Sequence, residues 1–329
     1  MAIYNLTKAE FEYELGLLKV LKLGMKADLS FPLLIEIQTQ NRCNARCPVC
    51  PYPQTTAKQD YVKMPDGLYR KLLDEMSRES GMAKIVLSFQ NEPFVDLDLI
   101  EKAKMFKEQV PGKQLEIVTN GSHITKDNIT EIYAYADMIS LSVNGLTSGT
   151  YEEVMQGLQF KDITRALNLI CENKHYVEKT ILRFIKQKRN IHEYSDFKRK
   201  YNKLGFKVFS FDVNSRLGAV ADYTNLKVPL TLGKRAELAF LKTAGNLLIK
   251  GCPVPRISFY IRANGDSVLC FNDWSEDYVL GNVNNQSIRE IFNSEVYGAI
   301  RERAKLSGLP LEDLCKKCEL KRDGLWLTM

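Results

Sequence analysis

Histidine is scarce in this chain: 329 residues hold three, at His123, His175 and His192. That scarcity argues against metal chemistry built on imidazole ligands. No apolar run is long enough to cross a bilayer, and Met1-Ala2-Ile3-Tyr4-Asn5 does not read as the start of a signal peptide. The expectation is therefore a cytoplasmic protein with no membrane partner. A block of one charge is also missing: the net charge of +6 is spread along the chain. No basic run is interleaved with stacking aromatics, so nucleic acid is not an expected partner. Internal repeats and low-complexity segments are absent too, which argues against a solenoid.

What the chain does have is an ordinary globular balance, 45% hydrophobic and 26% charged, and eight cysteines. At this length and without a secretion signal, a disulfide scaffold is a poor reading. The cysteines fall into two groups. Cys43, Cys47 and Cys50 are spaced C-x3-C-x2-C, and Cys252, Cys270, Cys315 and Cys318 lie far downstream; Cys171 stands alone. Three thiolates can hold an iron–sulfur cube by three of its four irons, leaving the fourth open to a small molecule. The alternative for the first group is a zinc knuckle, but zinc wants a fourth ligand, and no Cys or His lies between Cys50 and His123. Four thiolates in the second group suit a closed cluster, with zinc again the alternative.

The pattern around the first group alternates strand and helix. Thr7-Lys8-Ala9-Glu10 is a capping box that opens a helix to about Leu23. Strands are expected at 34–37, 84–89, 115–119, 138–143, 180–185 and 207–211, with helices between them. Parallel strands with right-handed crossovers follow. Six such units are too few to close an eight-stranded barrel, so the expected fold is α/β, a partial, open (β/α)6 TIM-like barrel. In such folds ligand residues come from loops at the C-terminal strand ends, where the cysteine loop lies. After Phe211 the composition changes. Residues 221–251 read as a helical connector, clearest from Lys234 to Ile249. Residues 257–261 and 268–269 read as a hairpin, and Ser287-Ile288-Arg289-Glu290 as a second capping box. The expected organisation is an N-terminal helical extension (1–32), the partial barrel (33–220), the connector (221–251) and a cysteine-rich region (252–329).

A C-x3-C-x2-C loop after the first strand of a partial barrel resembles the radical S-adenosylmethionine (SAM) superfamily. The resemblance implies that the open iron of a 4Fe-4S cluster on Cys43, Cys47 and Cys50 chelates the methionine part of SAM. Reductive cleavage to a 5′-deoxyadenosyl radical, which abstracts a substrate hydrogen, is implied with it. Val49 departs from the aromatic residue often found before the third cysteine. Gln90-Asn91-Glu92-Pro93 resembles the family's Gly-Gly-Glu-Pro element with both glycines replaced, and makes Glu92 the expected partner of the SAM amino group, with Gln90 and Asn91 as further expected SAM contacts. Thr119-Asn120-Gly121 is similar to the family's Thr-Asn-Gly element, which implies SAM-site roles for Thr119 and Asn120. Ser142 and Asn144 stand where the family binds ribose hydroxyls, and Arg183 where it places a polar SAM contact. The downstream cysteines resemble a small C-terminal SPASM-like, or twitch, extension, which implies one auxiliary 4Fe-4S cluster on Cys252, Cys270, Cys315 and Cys318.

Within the family, the chain is similar to the aminocyclitol dehydrogenases. Asn214-Ser215-Arg216-Leu217-Gly218 matches an element of that subgroup whose arginine faces the substrate. Phe271-Asn272-Asp273 replaces a Phe-Glu-Asp run, so the loss of a carboxylate at Asn272 points to a different substrate. Arg216, Asn272 and Asp273 are the candidate catalytic residues. The expected reaction is oxidation of a hydroxyl-bearing carbon of a sugar-like or aminocyclitol metabolite, with the auxiliary cluster as electron acceptor and a flavodoxin or ferredoxin as electron donor. A peptide-modifying maturase or epimerase, and a sugar epimerase, deaminase or dehydratase, are the alternatives; a non-enzymatic electron carrier is a third class. An epimerase needs a hydrogen donor, and Cys171, the cysteine in neither group, is expected to be a buried core residue of an apolar helix.

Overall fold

The computed structural model describes residues 29–229, 252–276, 278–305 and 313–318. The expected helices at 7–23 and 234–249 lie outside the described residues. Six parallel strands run in sequence order across one sheet: β1 (Leu34–Ile37), β2 (Lys84–Val86), β3 (Gln114–Thr119), β4 (Met138–Ser142), β5 (Thr180–Lys186) and β6 (Lys207–Asp212). Between them lie α1 (Asp66–Ser77), α2 (Leu99–Gln109), α3 (Ile129–Tyr135), α4 (Ser148–Val154), α5 (Phe160–Cys171), α6 (Lys174–Lys179) and α7 (Tyr194–Lys203). Side chains alternate along a strand. On β1 that sends Ile35 and Ile37 to the helix layer, fully buried, and turns Leu34 and Glu36 to the concave face. α1 answers with Leu68, Tyr69, Leu72, Leu73 and Met76, spaced for one helical face, which join the isoleucines in a single core.

The partial barrel is as expected, but the sheet is larger than six strands. After α8 (Tyr223–Leu226) and α9 (Val254–Ile257) come β7 (Ser258–Ile261), β8 (Asp266–Val268) and β9 (Val279–Asn282). β7 and β8 form the expected hairpin. β7 also pairs in parallel with β1, setting Tyr260 opposite Glu36, so the sheet order is β6-β5-β4-β3-β2-β1-β7-β8-β9 and the sheet stays open. The strand β9 is an addition to the sequence reading. α10 (Ile288–Phe292) opens with the expected Ser287–Glu290 capping box, followed by α11 (Glu295–Ala304) and α12 (Asp313–Lys316). Phe259, Phe292 and Tyr297 pack ring against ring beneath β7 and belong to the same core as the first six strands. One expectation fails here: Cys171, at the end of α5, is exposed rather than buried. The apolar face of α5 runs through Ile163, Ala166, Leu167 and Ile170, and Cys171 falls just off it.

Candidate active site

The loop after β1 carries three thiols and is bonded to the neighbouring strand ends. Its Arg42 carbonyl accepts from the Glu92 N–H at 2.9 Å, and the Arg46 N–H donates to the Gln156 carbonyl at 2.6 Å. The Gln40 side chain donates to the Glu92 carbonyl at 2.8 Å, and Asn120 Nδ2 to Asn44 Oδ1 at 2.8 Å. Gly157 (φ 89°) permits this approach: a Cβ there would stand 3.0 Å from the Asn44 carbonyl oxygen.

Burial pushes the Cys43 thiol up to about 12, and the nearby Glu92 and Cys50 charges add to it. Cys47 is pushed up by burial and then by Cys50 and Cys43, and Cys50 by burial. Three desolvated thiols this close cannot ionise together without a cationic centre among them, the condition an iron–sulfur core satisfies. Among the described residues no three Cys, His, Asp or Glu side chains converge closely enough to hold a single ion. Three thiols followed by no Cys or His before His123 fit a cluster with one open iron better than zinc, which wants a fourth ligand. Cys252 behaves likewise: burial raises it first, then Cys270, Cys318 and Cys315, so the four downstream thiols lie within electrostatic range of one another. Cys270 is raised by burial, with Cys318 and Cys315 adding to it.

Glu92 is 3% exposed, and its carboxylate is already engaged. It accepts from Thr119 Oγ1 at 2.5 Å, the Asn120 N–H at 2.8 Å and the Phe94 N–H at 3.3 Å. Burial nevertheless lifts its carboxyl to about 7, against the pull of those three donors. The Thr-Asn-Gly turn after β3 thus serves as the platform for Glu92. Its Gly121 (φ 75°) packs so tightly that a Cβ would meet the Leu141 side chain at 2.4 Å. Asn144 Oδ1 accepts from the Ile185 N–H at 2.7 Å, while its Nδ2 lies 3.0 Å from Met155 Sδ, beside Cys47. Ser142 pairs in register with Arg183 at the ends of β4 and β5.

The other expected contacts point elsewhere. Asn91 is spent on the loop, accepting from the Phe89 N–H and donating to the Gln40 carbonyl. Gln90 reaches the later cysteine loop, donating to the Phe271 and Asp273 carbonyls at 3.3 and 3.0 Å. Arg183 donates to Glu116 at 3.2 Å and lies over the Phe211 ring.

Arg216 and Asn272 are brought together as expected: Arg216 donates to Asn272 Oδ1 at 2.8 Å and lies 5.7 Å over the Phe271 ring. Burial pulls the guanidinium down from its usual value, and the charges that oppose this are Cys50, Cys270 and Glu36. Arg216 therefore lies within electrostatic range of a thiol from each group. Asp273 turns its carboxylate inward instead, accepting from the Tyr278 N–H at 3.0 Å, and is fully buried.

Sequence reasoning missed the acidic side chains of the concave face. Glu116 on β3 is ion-paired to Lys84 and Arg183 and accepts from Ser140. Burial opposes its ionisation, but those partners outweigh it and hold its carboxyl below the ordinary value. Glu36 on β1 makes no such ion pair among the described residues. Burial first, then the Glu116 charge, raise it to about 7 against Arg183, Lys84 and Arg216. The signal was its place in Leu34-Ile35-Glu36-Ile37, a charge on the face opposite two buried isoleucines.

Comparison with known proteins agrees with this geometry. The model of the radical SAM superfamily matches residues 37–210, and that of the SPASM iron–sulfur cluster-binding domain matches residues 252–319. An S-adenosyl-L-methionine-dependent 2-deoxy-scyllo-inosamine dehydrogenase from Niallia circulans is 20% identical over 285 residues, 87% of this chain and 92% of the relative. The crystal structure of BtrN in complex with AdoMet and 2-DOIA is similar with a TM-score of 0.63 at 19% identity, over 87% of this chain and 92% of that one. Streptococcus suis SuiB bound to precursor peptide SuiA gives 0.64 at 17% identity, over 98% and 79%. Native anSMEcpe with bound AdoMet gives 0.62 at 16% identity, over 89% and 88%.

Proposed function

The chain belongs to the radical SAM superfamily, is an oxidoreductase with a SPASM domain, and from that premise we propose a dehydrogenase of small polyhydroxylated metabolites. Its substrate on this reading is a sugar-like or aminocyclitol compound oxidised at a hydroxyl-bearing carbon. Cys43, Cys47 and Cys50 would hold the SAM-binding 4Fe-4S cluster, and Cys252, Cys270, Cys315 and Cys318 an auxiliary one. When bound, the first supplies reductive cleavage of SAM to a 5′-deoxyadenosyl radical, and the second an electron acceptor.

The observation that carries the reading is Arg216, held by a hydrogen bond to Asn272 and within electrostatic range of Cys50, Cys270 and Glu36. Oxidation at a carbinol carbon needs a hydroxyl held in place and a base for its proton. Arg216 offers the donor and Glu36 the acceptor. Glu92, on its Thr119–Asn120 platform, is the proposed partner of the SAM amino group. Ser142 and Asn144 lie at the strand ends on the ribose side of that reading. A flavodoxin or ferredoxin in the cytoplasm is the proposed electron source.

A second reading, a peptide maturase, is favoured by the SuiB likeness over 98% of this chain. Anaerobic turnover with 2-deoxy-scyllo-inosamine, related aminocyclitols and candidate precursor peptides separates the two. A dehydrogenase yields a small product lighter by two hydrogens. A product of unchanged mass that has taken up one solvent deuterium would mean epimerisation, and a modified peptide would establish the second reading.

A further inference from the structure

Among the described residues four non-glycine residues hold the left-handed backbone conformation: Gln90 (φ 54°), Arg216 (φ 51°), Leu217 (φ 60°) and Glu276 (φ 60°). L-residues adopt it rarely and keep it where the surroundings over-determine it. Three of the four have side chains in, or directly bonded to, the loop that runs from Cys270 to Glu276. Arg216 bonds Asn272. Gln90 Nε2 donates to the carbonyls of Phe271 and Asp273.

Glu276 completes a chain of polar contacts between the two halves of the site. Arg262, 3% exposed, donates to Gln90 Oε1 at 2.8 Å, to the Asp273 carbonyl at 3.1 Å and to Glu276 Oε1 at 2.7 Å. The same Glu276 oxygen accepts from the Gln59 side chain, and Arg42 donates to the Gln59 carbonyl at 2.9 Å. The clasp thus starts beside Cys43 and ends on the carbonyls one and three residues beyond Cys270. Gln90 is its junction, two residues before Glu92. The Gly-Gly-Glu-Pro element that residues 90–93 resemble has glycine here, the residue that takes this φ without cost. This chain instead holds a side chain in an unfavourable conformation, and its amide makes three contacts with the downstream region.

We propose that Gln90 is a positioning residue that fastens the Cys270 loop to the Glu92 loop, so that SAM at the Glu92 site tightens the auxiliary-cluster loop. The proposal rests on the reading of Glu92 as a SAM contact. It needs no knowledge of the substrate.

The test uses the full chain, anaerobically reconstituted, with SAM as the probe. Hydrogen exchange of the peptide 270–276 is followed with and without SAM, beside SAM affinity, iron content and the electron paramagnetic resonance spectrum of the reduced protein. In the wild type, SAM slows exchange in this peptide by about threefold or more and alters the auxiliary-cluster signal. Gln90→Gly, which suits the backbone but lacks the amide, keeps its iron and binds SAM within about threefold of wild type, yet loses both responses. Gln90→Glu keeps the acceptor for Arg262 and lacks the donor to the two carbonyls; it loses the responses too, and serves if the glycine variant does not fold. Undiminished SAM-dependent protection in either variant overturns the proposal. So does a wild type that binds SAM with no response at 270–276. Loss of SAM binding in Gln90→Gly would make Gln90 a ligand contact instead, and likewise overturns it. A wild type that binds SAM no more tightly than Glu92→Gln sinks the reading of Glu92 itself, which is a separate failure.

Discussion

Glu92 yields the sharpest quantitative prediction. Its carboxyl sits near 7 in the folded protein, against an ordinary 4.5, with burial the dominant cause. The difference corresponds to about 3 kcal/mol, at ~1.4 kcal/mol per unit. The sign follows from the direction. A raised carboxyl binds its proton more tightly when folded, so its contribution to stability is full below about 4.5 and is lost as pH rises through about 7. An amino group bound at the carboxylate reverses this, because it favours the ionised form. SAM affinity should therefore fall with decreasing pH, with Glu92 contributing about tenfold per unit below 7. Glu92→Gln removes the charge while keeping one acceptor. It should weaken SAM binding by about 2–3 kcal/mol, roughly 30- to 150-fold, the worth of a charge-assisted hydrogen bond. The pH slope of its SAM affinity should be shallower by one proton. Equilibrium SAM binding to anaerobically reconstituted protein between pH 5.5 and 7.5 measures both. Equal pH slopes in wild type and Glu92→Gln, or a loss of affinity below about threefold in the variant, would refute the assignment.

Two further outcomes follow from side chains on the concave face and in the core. Glu36 accepts a proton only when ionised, and it is faced by Glu116, Lys84, Arg183, Arg216 and Tyr260. Product formation per SAM cleaved should rise with pH through about 7 in the wild type, and Glu36→Gln should flatten that rise; an unchanged pH profile in the variant removes Glu36 from the reaction. Lys102 and Asp96 form a buried pair at 3.0 Å between α2 and the loop before it. Lys102→Ala strands much of the Asp96 charge and should cost about 3–5 kcal/mol in chemical denaturation, whereas a loss under about 1 kcal/mol would show that Lys63 alone suffices.

Much of this site was legible because the informative signals are local. The C-x3-C-x2-C spacing lies within eight residues, and the strand–helix alternation places that loop at a strand end before any coordinates are known. Arg216 and Asn272 were found through resemblance, and the structure joins them by one hydrogen bond. What was hidden depends on contacts far apart in sequence. β7 follows β1 by more than 200 residues, and nothing within Ser258–Ile261 announces a parallel seat beside Leu34–Ile37. That seat brings Tyr260 beside Glu36 and the Cys270 loop over Gln90. Gln90 and Asn91 were read as ligand contacts from their place in a motif. Their side chains turn to Phe271 and Asp273 in one case and to Gln40 in the other, directions set by partners 51 to 183 residues away. Cys171 was misplaced for a simpler reason: one helical step separates the apolar face of α5 from solvent.

The central claim is that the Cys43–Cys47–Cys50 loop supports reductive cleavage of SAM. Its most direct test is 5′-deoxyadenosine release by anaerobically reconstituted, dithionite-reduced protein supplied with SAM, beside the Cys43→Ala variant. The account predicts release by the wild type with about eight irons per chain, and none by Cys43→Ala, which keeps about four irons on the downstream thiolates. Undiminished release by Cys43→Ala, or a wild type that holds both sets of iron and cleaves no SAM, would contradict it.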